Sequence, residues 1–383
     1  MKTLTFNFIL FLVLLCFGFT PSTLSQTKKE AKFTVSRGDL LDVSLKQGNI
    51  IIVTGSGNEV NAVAKNIDED ELSLLTMEQK SNKVEIKFKG EGSDNFELEL
   101  TIPAALDLNL KTGGGNISIK GDLTGKTNAT TGGGNITTEN INGSVDLSTG
   151  GGNIKTGNIN GSADISTGGG DLNIGDINGI ADIKTAGGNI KIGNVGGRAD
   201  IKTAGGNIFV EDIGANTSGG NSKVSTAGGN IVVKNVSGNA EINTAGGNLN
   251  LAGATGKVEA NTAGGNIKLE NIKGYIDANT AAGNIYAELY PEGDVKSELN
   301  TAVGNITLKV PEDTKATIVA TFAVLVWSGD DSDLDNIKSD FAPNEVKRSK
   351  EKKQIEVVYQ LNGGGPTIEI NVVMGEIEIR KLK

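Results

Sequence analysis

The sequence predicts an all-β chain wound as a single-stranded parallel β-helix, a β-solenoid with about 18 residues per rung, capped at both ends by irregular β segments. Three observations predict it. A Gly-Asn motif recurs at near-constant spacing through the middle of the chain. Apolar and polar residues alternate with the period of two that marks half-buried strands. The composition, with 54 Gly, 6 Pro and 4% aromatic residues, suits a repeat better than packed globular domains.

The repeat aligns on the Asn or Asp that follows each glycine cluster: Asn116, Asn135, Asn153, Asp171, Asn189, Asn207, Asn230, Asn248, Asn266, Asn284 and Asn305. Successive gaps are 19, 18, 18, 18, 18, 23, 18, 18, 18 and 21, a register that disorder does not hold, and the longer gaps read as loop insertions. In the unit Asn189 to Gly206, Ile190 and Ile192 flank Lys191, and Ala199 and Ile201 flank Asp200. Val195 makes one further inward point. Equivalent residues recur as Ile154, Ile159, Ala163 and Ile165, and again as Ile267, Ile272, Ile276 and Ala278. A unit this short cannot bury its apolar face alone, but stacking on like neighbours gives a continuous thin core. The apolar spacing differs from that of hexapeptide-repeat helices, and crossover chirality then favours a right-handed coil. The glycines suit corners where backbones approach closely or φ is positive.

The elements follow in order. Residues 1–25 read as a secretory signal peptide: Met1-Lys2, an apolar run from Phe6 to Phe19, then a polar stretch with small residues Thr23 and Ser25 before the cut. That run is too short for a membrane span. Lipidation at Cys16 is not expected, because it lies inside the apolar run and Leu15 precedes it where a small residue is needed. Residues 26–106 form an N-terminal β segment and cap with degenerate rungs, of which Gly48-Asn49-Ile50 is one; 107–310 hold the regular repeats; 311–383 form a C-terminal β segment and cap. The caps are expected to cover strands that would otherwise aggregate. Trp327, in an apolar run from Phe322, is expected in their core.

The T-x-G-G-N-I array, with a degenerate first rung and a closing Asn362-Gly363-Gly364-Gly365 ahead of Ile368-Glu369-Ile370 and Gly375-Glu376-Ile377, resembles the bacterial putative-adhesin family of exported proteins. The resemblance covers nearly all of the mature chain. It implies a β-helical envelope or surface protein and brings no catalytic residues with it.

Chemistry is bounded by what the chain contains. It has no His, which removes His-based triads and His-ligated zinc, and its mature part has no Cys for disulfides or thiolate sites. No cofactor is expected. A net charge of −10 argues against a nucleic-acid partner. One outward position of the repeat is acidic: Asp146, Asp164, Asp182, Asp200, Glu241, Glu259, Asp277 and Glu298, interrupted by Lys223. Stacked at rung spacing, these charges repel or gather cations, so the column is either a weak cation- or partner-binding face or a solvated face that keeps a rod soluble. Lys184 and Lys202 would neutralise part of it.

The Asn column is read as a structural amide ladder, since Asn stands where a calcium-binding repeat needs Asp. A Thr before each glycine cluster is read as capping turn backbone rather than binding ice. Phe209 and Tyr286 share the outward position of Lys191, Tyr275 is expected in a turn, and Tyr290 lies just beyond.

The function read from the residues is that of a non-catalytic exported β-solenoid, an adhesin or a structural protein of the cell envelope. It would be exported across the inner membrane to the periplasm, the outer-membrane surface or the medium, and its partner would be an envelope or cell-surface protein or a polysaccharide. The alternatives are a carbohydrate-active β-helix enzyme and a divalent-cation-binding surface module. An enzyme would break the repeat with unlike polar groups, and the longer gaps after Asn207 and Asn284 are where to look; the first inserts Asn216 to Asn221, without acid or base.

Overall fold

The computed structural model describes residues 27–92, 95–214, 220–324 and 334–382. The signal peptide with Cys16, most of the insertion at 216–221, and Trp327 lie outside the described residues.

The alternation becomes strands as the pattern dictates. In the unit Asn189 to Gly206, strands Ile190–Ile192 and Ala199–Lys202 turn Ile190, Ile192, Ala199 and Ile201 inward to full burial. Each strand pairs in parallel with its equivalent on both sides, Ile190 facing Leu172 and Ile208, and Ala181 facing Ala163 and Ala199. A third side is made by single residues, with bridges Ile141 to Ile159, Ile159 to Ile177, Ile177 to Val195, and Val195 to Ile213. The sheet is mostly parallel and encloses one apolar cluster running from Val35 to Ile379. Among the described residues no helix is long and apolar enough to cross a membrane.

The later units depart from short strands separated by turns. Strands Ile231–Asn243, Leu249–Thr262 and Ile267–Ala282 run unbroken round a corner. They do so at Gly238, Gly256 and Gly274, whose φ values of 102°, 155° and 139° bend the chain while pairing continues. Tyr275 therefore sits within a strand opposite Lys257, not in the turn its neighbours suggest.

At the other corner two features hold the rungs together. A Cβ on Gly188 would stand 2.0 Å from the carbonyl oxygen of Gly170, so that corner closes only with glycine; Gly187 beside it has 3.5 Å to its nearest neighbour. The buried hydroxyl of Thr185 accepts the Gly188 N–H at 3.3 Å and donates to the Gly170 carbonyl at 2.9 Å. From Thr131 to Thr262 each Thr of the column likewise satisfies its own turn and ties it to the rung before, while Thr112, Thr280 and Thr301 make the tie alone.

The ends are interleaved rather than stacked in chain order. Strand Leu40–Leu45 lies between Lys83–Phe88 and Asp107–Thr112, and Asn49–Gly55 lies between Glu97–Pro103 and Ile117–Lys120. The degenerate first rung is therefore second in space, and the segment after it loops back to form the end. Phe88 and Phe96 plug that end with ring centroids 4.4 Å apart. At the opposite end Thr367–Met374 lies between Ser297–Val303 and Ala316–Ala323, and Ile377–Lys381 between Ile306–Val310 and Ile337–Ser339. Antiparallel strands complete both ends. The outer ones include Thr27–Thr34 and Glu345–Ser349, which carry Lys28, Lys29, Lys32, Lys347 and Arg348, charges that discourage pairing with another chain.

Candidate functional site

The Asn column is a capping series on the rod's exterior. From Asn116 to Asn305, the side-chain Oδ1 of each residue accepts the backbone N–H of its successor at 2.7 to 2.9 Å. Asn49 begins the series by accepting from Asn116, and Glu376 ends it by donating its N–H to Asn305. Side-chain amide contacts along the ladder are longer, 3.1 to 3.3 Å, and join Asp171 through Asn266. Because the essential role is acceptance, Asp171 serves as well as Asn. Asn230→Asp is therefore expected to change stability by less than about 0.5 kcal/mol, whereas Asn230→Ala, which strands the Asn248 N–H, costs about 0.5–1.5 kcal/mol in urea unfolding.

Further ladders escape the sequence reading, among them Asn142, Asn160 and Asn178, joined by side-chain amides. Asn140, Asn158, Asp176 and Asn194 repeat the capping on the next corner. Asn243, Asn261, Asn279, Asn300 and Asn371 join by side-chain amides at 2.8 to 2.9 Å. As far as Asn300 these ladders keep the spacing of the repeat, which is the signal that could have found them; Asn371 joins from outside it.

The acidic column forms on one outward face. Pairing places Asp146, Asp164, Asp182, Asp200, Lys223, Glu241, Glu259, Asp277 and Glu298 in consecutive register, and Glu369 extends the row. Lysines neutralise much of it: Lys184 lies 2.7 Å from Asp182, Lys223 pairs with Glu241, Lys257 reaches Glu259 at 3.0 Å, and Lys296 bridges Glu298 and Glu369. Asp277 instead accepts from the Asn279 amide at 2.7 Å. At the N-terminal end the same face carries Asp42 and Glu85 on either side of Lys83; Glu85, held by Lys87 and then Lys83, is drawn down to about 2. Among the described residues no three acidic side chains converge as a metal site would require.

Asp164 is the strained member. Partial burial, then the charges of Asp182 and Asp146, push its carboxyl above the usual value, while Lys184 pulls it back. A raised folded-state pKa means the ionised form is penalised on folding, so the cost is absent below the ordinary carboxylate range and grows as pH rises through the folded value. Asp164→Asn is expected to stabilise the chain at pH 7 by about 0.2–1 kcal/mol, with the gain vanishing near pH 3.5 and shrinking in high salt. Paired urea titrations at the two pH values check it.

Between the two halves of this face lies a groove of about 310 Å³, lined by Arg198, Asp200, Asn221, Lys223, Asn239, Glu241, Lys257 and Glu259, with Ala199, Ser222 and Ala240 beneath. It opens where the repeat is interrupted after Asn207. The inserted residues carry no acid or base, but the neighbouring rungs supply both signs of charge. The aromatic residues do not gather there. Phe209 pairs in register with Lys191, and Tyr290 with Lys273. Tyr286 donates to Glu288, with Lys309 and Lys268 5.0 and 5.9 Å from its ring centre.

Rungs in parallel register round a thin apolar core define a β-solenoid-like protein. The chain belongs to the Toastrack family, whose model, Toastrack DUF4097, matches residues 35–218 and again 197–380. No curated protein matches the sequence. Among solved structures, the chain is similar to a putative adhesin from Parabacteroides distasonis at 18% identity, covering 70% of this chain and 96% of that one with a TM-score of 0.31. A putative adhesin from Parabacteroides merdae matches at 16% identity over 74% of this chain and 92% of that one, with a TM-score of 0.29. A putative cell adhesion protein from Clostridium sporogenes matches at 10% identity over 93% of this chain and 100% of that one, with a TM-score of 0.18.

Proposed function

We propose that this chain is a non-catalytic exported module of the cell envelope, a stiff rod that holds a surface protein or polysaccharide through repeated contacts along its side. In finer detail the rod is a right-handed solenoid of about 18 residues per rung, as the pairing of Asn135 with Asn153 and crossover chirality suggest. The observation that carries the functional reading is the acidic face. Its carboxylates stand one per rung in the same register position, most of them matched to a lysine or an amide. Glycoside hydrolysis needs two carboxyl groups made unlike by their surroundings across a cleft. A row of acids in one register position, most of them neutralised, supplies a binding surface instead.

The test is protease digestion of intact cells beside a periplasmic marker, with the purified protein shown to be cleavable. Digestion while the marker survives supports a surface module. Protection of a protein that is cut when purified would replace adhesion with a periplasmic scaffold.

A further inference from the structure

The groove between the halves of the charged face lies beside the longest interruption of the repeat, the 23-residue gap from Asn207 to Asn230. The two matches to the family model overlap at residues 197–218, so the groove lies at the junction of two copies of the module. Here Arg198, Asn221, Asn239 and Lys257 follow one another along successive strands.

Most of the polar groups lining the groove are already used. Lys223 is paired with Glu241, and Lys257 with Glu259. The Oδ1 of Asn239 accepts the Lys257 N–H at 2.8 Å, while its amide donates to Asn221 Oδ1 at 2.8 Å. Among the described residues the guanidinium of Arg198 and the amide NH2 of Asn221 have no partner. Gly220 lies against the stem of Arg198, where an added Cβ would be 3.6 Å from Arg198 Cβ. Asp200, on the adjoining strand position, forms no ion pair among the described residues, since the nearby Lys184 and Lys223 are engaged by Asp182 and Glu241.

The floor decides what kind of ligand fits. Strands Ala199–Lys202, Gly220–Ser225 and Ile231–Asn243 are each paired on both sides, so no free edge can accept a peptide strand. The apolar lining is Ala199 and Ala240, both buried, so neither an amphipathic helix nor a polyproline segment finds an anchor. The carboxylates at the rim disfavour a densely charged phosphate. A guanidinium fork matches a singly charged carboxylate, and acids beside it accept hydrogen bonds from hydroxyls.

We propose that this groove binds a carboxylate-bearing glycan, with Arg198 and Asn221 donating to the sugar carboxylate and Asp200 accepting from neighbouring hydroxyls. The inference rests on the reading of the chain as a binding module. It is tested by calorimetric titration of the mature chain with trigalacturonate and with sialyllactose at low salt, using unesterified against methyl-esterified trigalacturonate. The expected result is binding of at least one acidic glycan, loss of that binding on esterification, and a weakening of tenfold or more in Arg198→Ala with an unchanged melting temperature. Lys191→Ala, outside the groove, is expected to bind as the parent does.

No binding of either glycan at millimolar concentration, or equal binding by Arg198→Ala, overturns the proposal. So does a hexaglutamate peptide that binds as tightly and depends on Arg198, because it would reassign the groove to acidic peptides. The cell-digestion experiment is independent: a protected protein that still binds the glycan overturns surface adhesion alone, and a digested protein that ignores both glycans overturns the groove alone.

Discussion

Phe96→Ala is expected to cost about 3–5 kcal/mol, the range for deleting a fully buried aromatic ring. Phe96 has no exposed surface, stacks on Phe88, and lies over Gly48, where an added Cβ would stand 2.2 Å from its ring. Its carbonyl also accepts the Asn49 N–H at 3.0 Å, which seats the interleaved rung. Neighbouring rungs interact only with one another, so the damage should stay at that end. Hydrogen exchange is expected to accelerate through residues 27–120 while residues 231–310 keep their protection. Uniform acceleration along the whole chain would show that the rod unfolds as one unit and that the end is no independent plug.

Gly188→Val is the second large effect. The added carbon would lie 2.0 Å from the Gly170 carbonyl oxygen and 2.8 Å from the Asp171 nitrogen. Both are backbone atoms with no room to yield, so a loss toward the upper end of about 1–3 kcal/mol is expected, with the Thr185 bridge broken at the same corner. Gly187→Ala is the control. Its nearest neighbour is 3.5 Å away and its backbone suits an ordinary residue, so it should be neutral or stabilising by up to about 1 kcal/mol. Denaturant midpoints of the two variants separate close approach from simple glycine content.

The contrast between these glycines shows what the sequence could carry. Inward positions such as Ile190, Ile192, Val195 and Ile201 were legible because burial imposes its period directly on the residues, and all four are fully buried. The acidic column and the Thr and Asn series were legible because each recurs once per repeat, as was the long gap beside the groove because it breaks that spacing. What could not be read is pairing between segments far apart in the chain. Glu369 joins the acidic row after Glu298, and Asn371 donates to Asn300 across 71 residues, with nothing in the local pattern to announce either. The groove was missed in a related way: its charges belong to regular rungs on either side of the interruption, and only stacking brings Arg198 beside Asn221. The unbroken passage of Ile267–Ala282 round the corner at Gly274 was missed because a glycine between apolar runs reads equally as a turn or as a bend within a strand.

Interleaving at the ends sets an order of assembly during synthesis. Residues 40–55 cannot take both their partners until 107–120 have emerged, so the first part of the chain must wait for a segment made later. At the far end the last strands, Thr367–Met374 and Ile377–Lys381, settle between partners that are already complete. A ribosome that stops short of them leaves an internal gap with two raw strand edges, the form most prone to capture by another unfinished copy. Between those two closures each further repeat only lengthens the rod, and the timing at either end is untouched.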